Sequence, residues 1–299
     1  MGFSGLMKNL QHAPGQSMAV AWGADEGVLQ ACFAAVKKGL LREVFVTGPP
    51  EEIKSIAAGG NVNLHAFTLI PASSPAEGAA LAVHLVKEGR CSILMKGNLN
   101  TNIILRAVLN KEQGIRAQAL LSHIAVVQLP GPRLALLTDA AMNIRPDLGA
   151  KVEILNNAIQ FAWSIGLTNP KTAVLAAVES VNPQMPETVD AAALTLMGRR
   201  GQFARPAVVD GPLAFDNAYS PEAAKQKKID SPVAGRPDIF MVPELVSGNI
   251  LYKAFSYVGF LPTSGLIYGA SCPIVLVSRA DTMESKLNGI AIACQALKE

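Results

Sequence analysis

The chain has 299 residues, half of them hydrophobic and only 16% charged, with a net charge of +3. That is enough apolar material for a substantial core in one large domain or two ordinary ones, and it excludes intrinsic disorder. The weak positive charge excludes the broad basic field that nucleic-acid binding needs, so local basic groups must hold any anionic ligand.

The leading residues MGFSGLMKNLQHAPGQ lack a charged region followed by an apolar stretch, so they are not read as a signal peptide, and Leu6 breaks the myristoylation pattern. From Met18 the chain alternates: strand MAVAWG, helix Glu26 to Lys38, strand EVFVTG, helix Pro50 to Ala58, a strand around HAFTLI, and helix Pro75 to Lys87. This alternation is the α/β signature. CSILM is a fourth short strand, followed by the loop KGNLN and a helix from Thr101 to Asn110. After Gly114 the pattern changes. HIAVVQL and RLALLTD are separated only by PGP, too little for a crossover helix, so they predict an antiparallel hairpin. Alternation then resumes with a helix from Leu148 to Ile165, strand TAVLAAV, helix Glu187 to Arg199, and short strands at Ala207 to Val209 and Ile239 to Val242. LIYG, PIVLV and a last helix from Thr282 close the chain. The change near residue 115 marks a candidate domain boundary.

Cys32, Cys91, Cys272 and Cys294 lie in apolar segments without metal-type spacing, which predicts reduced thiols and a cytoplasmic protein. The most apolar window, residues 119 to 142, is interrupted by His123, Pro130, Pro132, Arg133 and Asp139 before it reaches spanning length, so no membrane segment is expected. His12, His65, His84 and His123 are scattered, and no metal site is expected. Dinucleotide, P-loop and nucleophile-elbow signatures are all missing.

The polar residues gather after strands, where open α/β sheets bind ligands. Lys96, Gly97 and Asn98 follow the fourth strand, although a lysine there is usually only solvated. Arg106 sits among Ile103, Ile104, Leu105 and Val108, where an unpaired guanidinium is costly; an anionic ligand or a buried acid such as Asp139 would satisfy it. Asp139 and Asn143 follow RLALLTD, while Asp147 reads as a helix cap. DGPLAFDNAYS supplies Asp216, Asn217 and Ser220. SPVAGRPD adds Gly235, Arg236 and Asp238, and VSGN places Ser247, Gly248 and Asn249 at a helix start whose free amides could face an anion. Ser278 and Arg279 end PIVLV abruptly, with Asp281 and Glu284 forming a capping-box-like start to the last helix. Such residues also populate ordinary turns and caps, but their density here favours a site.

Taken together, DGPLAFDNAYS, SPVAGRPD, VPELVSGNILYK, LMKGNLNT, TDAAMN and PIVLVSRAD resemble the phosphate acetyl/butyryltransferase family, in order and spacing, from about residue 90 to the C-terminus. The resemblance implies two α/β domains flanking a cleft, similar to the isocitrate/isopropylmalate dehydrogenase-like fold. Residues 1–116 with 267–299 would form the first domain and 117–266 the second. It also implies transfer of a short acyl group between CoA and phosphate, with no cofactor and in a homodimer. Arg106 and Arg279 match the family's phosphate- and CoA-handling arginines, and Ser278 matches the serine that polarises the thioester carbonyl. Lys96, Gly97, Asn98, Asp139, Asn143, Asp216, Asn217, Ser220, Gly248 and Asn249 are the expected phosphate and CoA contacts. Where longer acetyl-type members carry a carboxylate base, this chain has Ser285, which leaves Asp281, Glu284 or phosphate itself to take the proton. The S-R-A-D-x-x-E-x-K-L form looks more like the butyryl branch. Two other readings remain: a metal- and NAD-dependent dehydrogenase of the same architecture, using Asp139, Asp210, Asp216 and Asp238, and a silent CoA- or acyl-phosphate-binding protein.

Overall fold

The structure is a computed structural model that describes residues 2–11, 13–131, 133–278 and 281–297. The chain opens with α1 (Phe3–Leu10), β1 (Gln16–Ala21), α2 (Glu26–Lys37), β2 (Leu41–Gly48), α3 (Pro50–Gly59), β3 (Phe67–Pro71), α4 (Pro75–Lys87), β4 (Ile93–Lys96) and α5 (Thr101–Val108). It continues through β5 (Ser122–Leu129), β6 (Arg133–Thr138), α6 (Leu148–Ser164), β7 (Lys171–Leu175), α7 (Pro186–Arg199) and β8 (Val208–Leu213). The last part holds α8 (Phe215–Tyr219), α9 (Pro221–Gln226), β9 (Ile239–Met241), α10 (Leu245–Lys253), a π-helical turn (Ala254–Val258), β10 (Thr263–Tyr268), β11 (Ile274–Val275) and α11 (Met283–Ala296). The helix starts follow local chemistry. Asp25, Ser74, Asp147 and Ser220 accept from amides of the first turns of α2, α4, α6 and α9, and proline opens α3, α4, α7 and α9.

Two compact units result, Met1–Ala119 with Ser264–Glu299, and Leu120–Thr263. The strands of the first run in the order β3, β2, β1, β4, β11, β10. All neighbours are parallel except β10 against β11. β1 and β4 are buried almost throughout, as strands covered on both faces must be. The β1–β2–β3 connections run one way along the sheet and β3–β4 runs back, so β1 and β4 flank the point where strand order reverses. α11 packs so closely on β10 and β11 that a methyl at Gly289 would fall 2.6 Å from Ser264 Oγ and 2.8 Å from Val275 Cγ1. α1, which the sequence reading did not anticipate, buries Phe3, Leu6 and Leu10 and packs on α11.

In the second unit the order is β5, β6, β9, β7, β8. The expected β5–β6 hairpin is antiparallel, and β6, β9, β7 and β8 are mutually parallel. Phe240, Leu137, Ala173, Leu213 and Tyr252 form part of its core. β8 runs four residues beyond the expected end at Val209, so Asp210, Gly211 and Pro212 belong to the strand rather than to a loop.

Candidate functional site

In the first unit, three polar loops meet the carboxyl ends of β1, β4 and β11, beside the reversal point where open sheets place ligands. Register fixes them: Ala21 lies opposite Lys96, and Val275 opposite Met95. The Gly97 and Asn98 amides donate to Ala21 O at 2.9 Å and Trp22 O at 2.7 Å, and the Asn98 side chain donates to Ala24 O at 3.3 Å. Gly97 has no room for a side chain, since a Cβ would lie 2.3 Å from Trp22 O. Lys96 is buried rather than solvated, and its Nζ donates to Gly97 O at 3.1 Å and Leu99 O at 3.2 Å. Its charge therefore folds the loop back over the strand end.

Arg106 corrects the sequence reading. It is exposed and makes no ion pair among the described residues, because α5 buries Ile104 and Val108 and a residue two positions on points roughly 200° away. The expected buried acidic partner is not there. Asp139 instead lies in the second unit with its carboxylate filled by local donors. What α5 presents is an open guanidinium, free for an anion.

The last turn before α11 also differs from expectation. Thr282, not Asp281, is the N-cap, accepting from Ser285 N at 3.1 Å. Asp281 turns its carboxylate back to Ser278, whose amide donates to Oδ2 at 2.7 Å, while Asp281 N donates to Ser278 O at 3.1 Å. β11 ends at Val275, two residues short of the expected PIVLV strand, so the exposed Ser278 lies three residues past it, and Glu284 is exposed in the first turn of α11. Arg279 lies outside the described residues.

The carboxyl ends of β6, β9, β7 and β8 carry the second unit's polar residues. Asp139 is buried and accepts five hydrogen bonds, from the amides of His123, Ala141, Met142 and Asn143 and from Asn143 Nδ2. Asn143 Nδ2 also reaches Leu121 O, and Asn249 Nδ2 donates to Ala140 O at 3.2 Å. Gly248 is required there, since a Cβ would sit 2.5 Å from Asp139 O. α10 begins at Leu245, before the expected start, and the Glu244 carboxylate takes the Val246 and Ser247 amides, both at 2.7 Å. Burial pushes the Glu244 carboxyl up, but those amides outweigh it and hold it below its ordinary value. The first amides of α10 are therefore already engaged.

At β7 and β8, Lys227 pairs with Glu179 at 2.6 Å and Asp216 at 2.9 Å. Its ammonium holds both carboxyls below their ordinary values, and they in turn raise Lys227. The buried Asn217 donates to Glu179 as well, and its Oδ1 has no partner among the described residues. Ser220 does not join this group. It caps α9 and lines an open cavity of about 390 Å³ with Gly131, Arg133 and Arg236 beside the β5–β6 turn. Gly235 is explained by packing, with φ +83° and a Cβ position 2.7 Å from Pro221 Cα.

Glu179, Lys227 and Lys286 were missed from the sequence. The first two sit in polar stretches with no local signal. Lys286 had one: it is a lysine running into the apolar segment LNGIAIA. Among the described residues no three His, Cys, Asp or Glu side chains converge as a metal site.

The family described as "Phosphate acetyl/butaryl transferase" matches residues 74–294. A phosphate butyryltransferase of Clostridium acetobutylicum is 42% identical over 97% of this chain and 96% of its own length. The branched-chain phosphotransacylase of Enterococcus faecalis superposes with a TM-score of 0.84 at 33% identity, covering 95% of this chain and 99% of that one. A 4-hydroxythreonine-4-phosphate dehydrogenase of Klebsiella pneumoniae, at 14% identity, 95% and 100% coverage and a TM-score of 0.56, shares the fold alone, which accounts for the dehydrogenase-like architecture without its chemistry. The chain belongs to the phosphate acetyl/butyryl transferase family and is an acyltransferase.

Proposed function

We propose that the chain transfers a short acyl group, butyryl in preference to acetyl, between CoA and inorganic phosphate. The observation that carries this reading is that one unit presents an exposed Ser278 shortly after β11 and, on the helix after the neighbouring strand β4, an exposed Arg106 guanidinium with no ion pair among the described residues. Phosphate is a dianion or monoanion that a guanidinium fork can hold in two hydrogen bonds. A phosphate oxygen attacks the thioester carbonyl carbon, the Ser278 hydroxyl donates to the developing oxyanion, and the carbon–sulfur bond then breaks. The CoA sulfur leaves as thiolate and takes the proton that phosphate gives up. A thiol pKa of about 8.5 makes that leaving group an easy one. Arg279 keeps the phosphate or CoA contact that the resemblance assigns it. Asp281, occupied with the Ser278 amide, shapes the turn, and the scheme asks for no metal or redox cofactor.

Within the second unit, Asp139, Asn143, Gly248 and Asn249 hold the loop after β6 and the start of α10 in shape. A homodimer suits its surface: Val246, Ile250, Tyr257, Val258 and Phe260 are all more than half exposed on and just after α10, and a second copy would cover them. Cytoplasmic residence suits the four free cysteines, all buried, whose thiols burial pushes up to about 12. No helix among the described residues is long and apolar enough to cross a membrane. The test is to incubate the protein with phosphate and acetyl-, butyryl- or longer acyl-CoA and trap acyl phosphate as its hydroxamate. Butyryl phosphate should form fastest; CoA release with no trapped acyl phosphate would overturn the reading.

A further inference from the structure

α11 carries a buried cation that the proposed chemistry leaves unused. Lys286 is 5% exposed, on a helix buried all round from Lys286 to Cys294. A lysine in such a place must find acceptors for its ammonium. Its Nζ donates to Asp281 O at 2.6 Å. It also lies beside the start of α2, where a methyl at Gly27 would come within 3.4 Å of both Lys286 Nζ and the Asp25 carboxylate. Asp281 in turn holds Ser278 twice, through Oδ2 and through its amide. The close seat of Gly289 on β10 and β11 fixes α11 itself. A continuous rigid path thus runs from the sheet through α11 and Lys286 to Asp281 and Ser278.

We propose that Lys286 is a positioning residue for Ser278: its ammonium clamps the Asp281 carbonyl and so sets the place of the Ser278 hydroxyl in the turn after β11. The inference rests on the role given to Ser278 above. Ser278 is exposed, and among the described residues its hydrogen bonds are the two short-range ones to Asp281, so the clamp on Asp281 also bears on Ser278. A displacement of about 1 Å in a reacting group can cost about 10²-fold in rate. Substrate binding elsewhere in the site would be left in place.

A double-mutant cycle tests this with Lys286→Met, Ser278→Ala and the pair, measured as phosphate-dependent thiol release from butyryl-CoA. Lys286→Met should lower kcat about 10- to 100-fold with the butyryl-CoA and phosphate KM values near those of the parent, and the pair should be no slower than Ser278→Ala alone. Lys286→Arg, which keeps a cation and a donor, should recover part of the rate, and it carries the cycle if Lys286→Met does not fold. Amide exchange at Ser278 and Asp281 should speed up in Lys286→Met without any substrate present. Unchanged kcat in a folded Lys286 variant, or losses that multiply with Ser278→Ala, would overturn the positioning role. A Ser278→Ala variant with parental turnover would instead overturn the assignment of Ser278 itself, and unchanged amide exchange in Lys286→Met would still refute the clamp on its own.

Discussion

The strand ends of the two units hold similar residues and use them in opposite ways. In the second unit the charges are spent on one another: Asp139 accepts five hydrogen bonds, Glu244 takes two helix amides, and Lys227 lies between two carboxylates. In the first unit Lys96 and Lys286 donate to neutral carbonyls, and Arg106 has no ionic partner among the described residues. Neutral acceptors satisfy a cation's hydrogen bonds without cancelling its charge. The first unit thus presents Arg106 as an exposed cation that an anionic substrate can use, while in the second the paired charges fix local shape. Side-chain identity alone does not separate the two cases. What a charged group is bound to does.

The largest effect that could break this contrast belongs to Ser278. Ser278→Ala should fold like the parent, because the side chain is exposed, and lose about 10²-fold or more in kcat if its hydroxyl is the oxyanion donor. A smaller change is expected from Arg106→Lys, which keeps the charge but loses the planar fork. The phosphate KM should rise about 10-fold, and the thermal midpoint should stay put, since Arg106 is exposed and makes no ion pair among the described residues. A lowered midpoint would show that Arg106 is a structural ion pair after all.

On the other side of the comparison, the proposed homodimer predicts that the parent sediments as a dimer and Phe260→Lys as a monomer while each unit stays folded, because Phe260 is 85% exposed. A Phe260→Lys dimer would place the interface elsewhere. Thr282→Ala should cost about 0.5–2 kcal/mol in denaturant unfolding and Thr282→Ser almost nothing, which separates the cap from the Asp281 turn beside it.

The smallest effect is at Lys227. Glu179 and Asp216 are held below their ordinary values of 4.5 and 3.8 by the Lys227 ammonium. Carboxyls depressed in this way add stability that is present above those values and lost as pH falls through the lowered ones. Between about pH 6 and about pH 3, the parent should therefore lose more of its thermal midpoint than Lys227→Met does. Equal slopes would mean that the triad is only a solvated surface contact.

Much of the fold was legible because parallel strands are buried on both faces and so appear as unbroken apolar runs between turn residues. α1 was not, since an eight-residue amphipathic helix with a glycine inside gives too short a period. The site was legible in its positions and less so in its roles. A cation on an apolar helix needs a partner only where it faces the core: Arg106 stands opposite Ile104 and Val108 and so escapes that need, whereas Lys286 on α11 does not. Likewise Asp281 and Thr282 are both good caps by composition. Only the backbone direction at the turn decides that Thr282 caps α11 and Asp281 faces Ser278. Lys227 meets Glu179 across 48 residues of sequence, a separation that no local pattern carries.

The most direct test of the account is the initial rate of thiol release from butyryl-CoA as phosphate is raised from zero, with and without EDTA and NAD. Release should be absent without phosphate, saturate as phosphate increases, yield one butyryl phosphate per thiol, and be indifferent to EDTA and NAD. Thiol release that continues without phosphate, or activity that EDTA abolishes and a divalent metal restores, would contradict it.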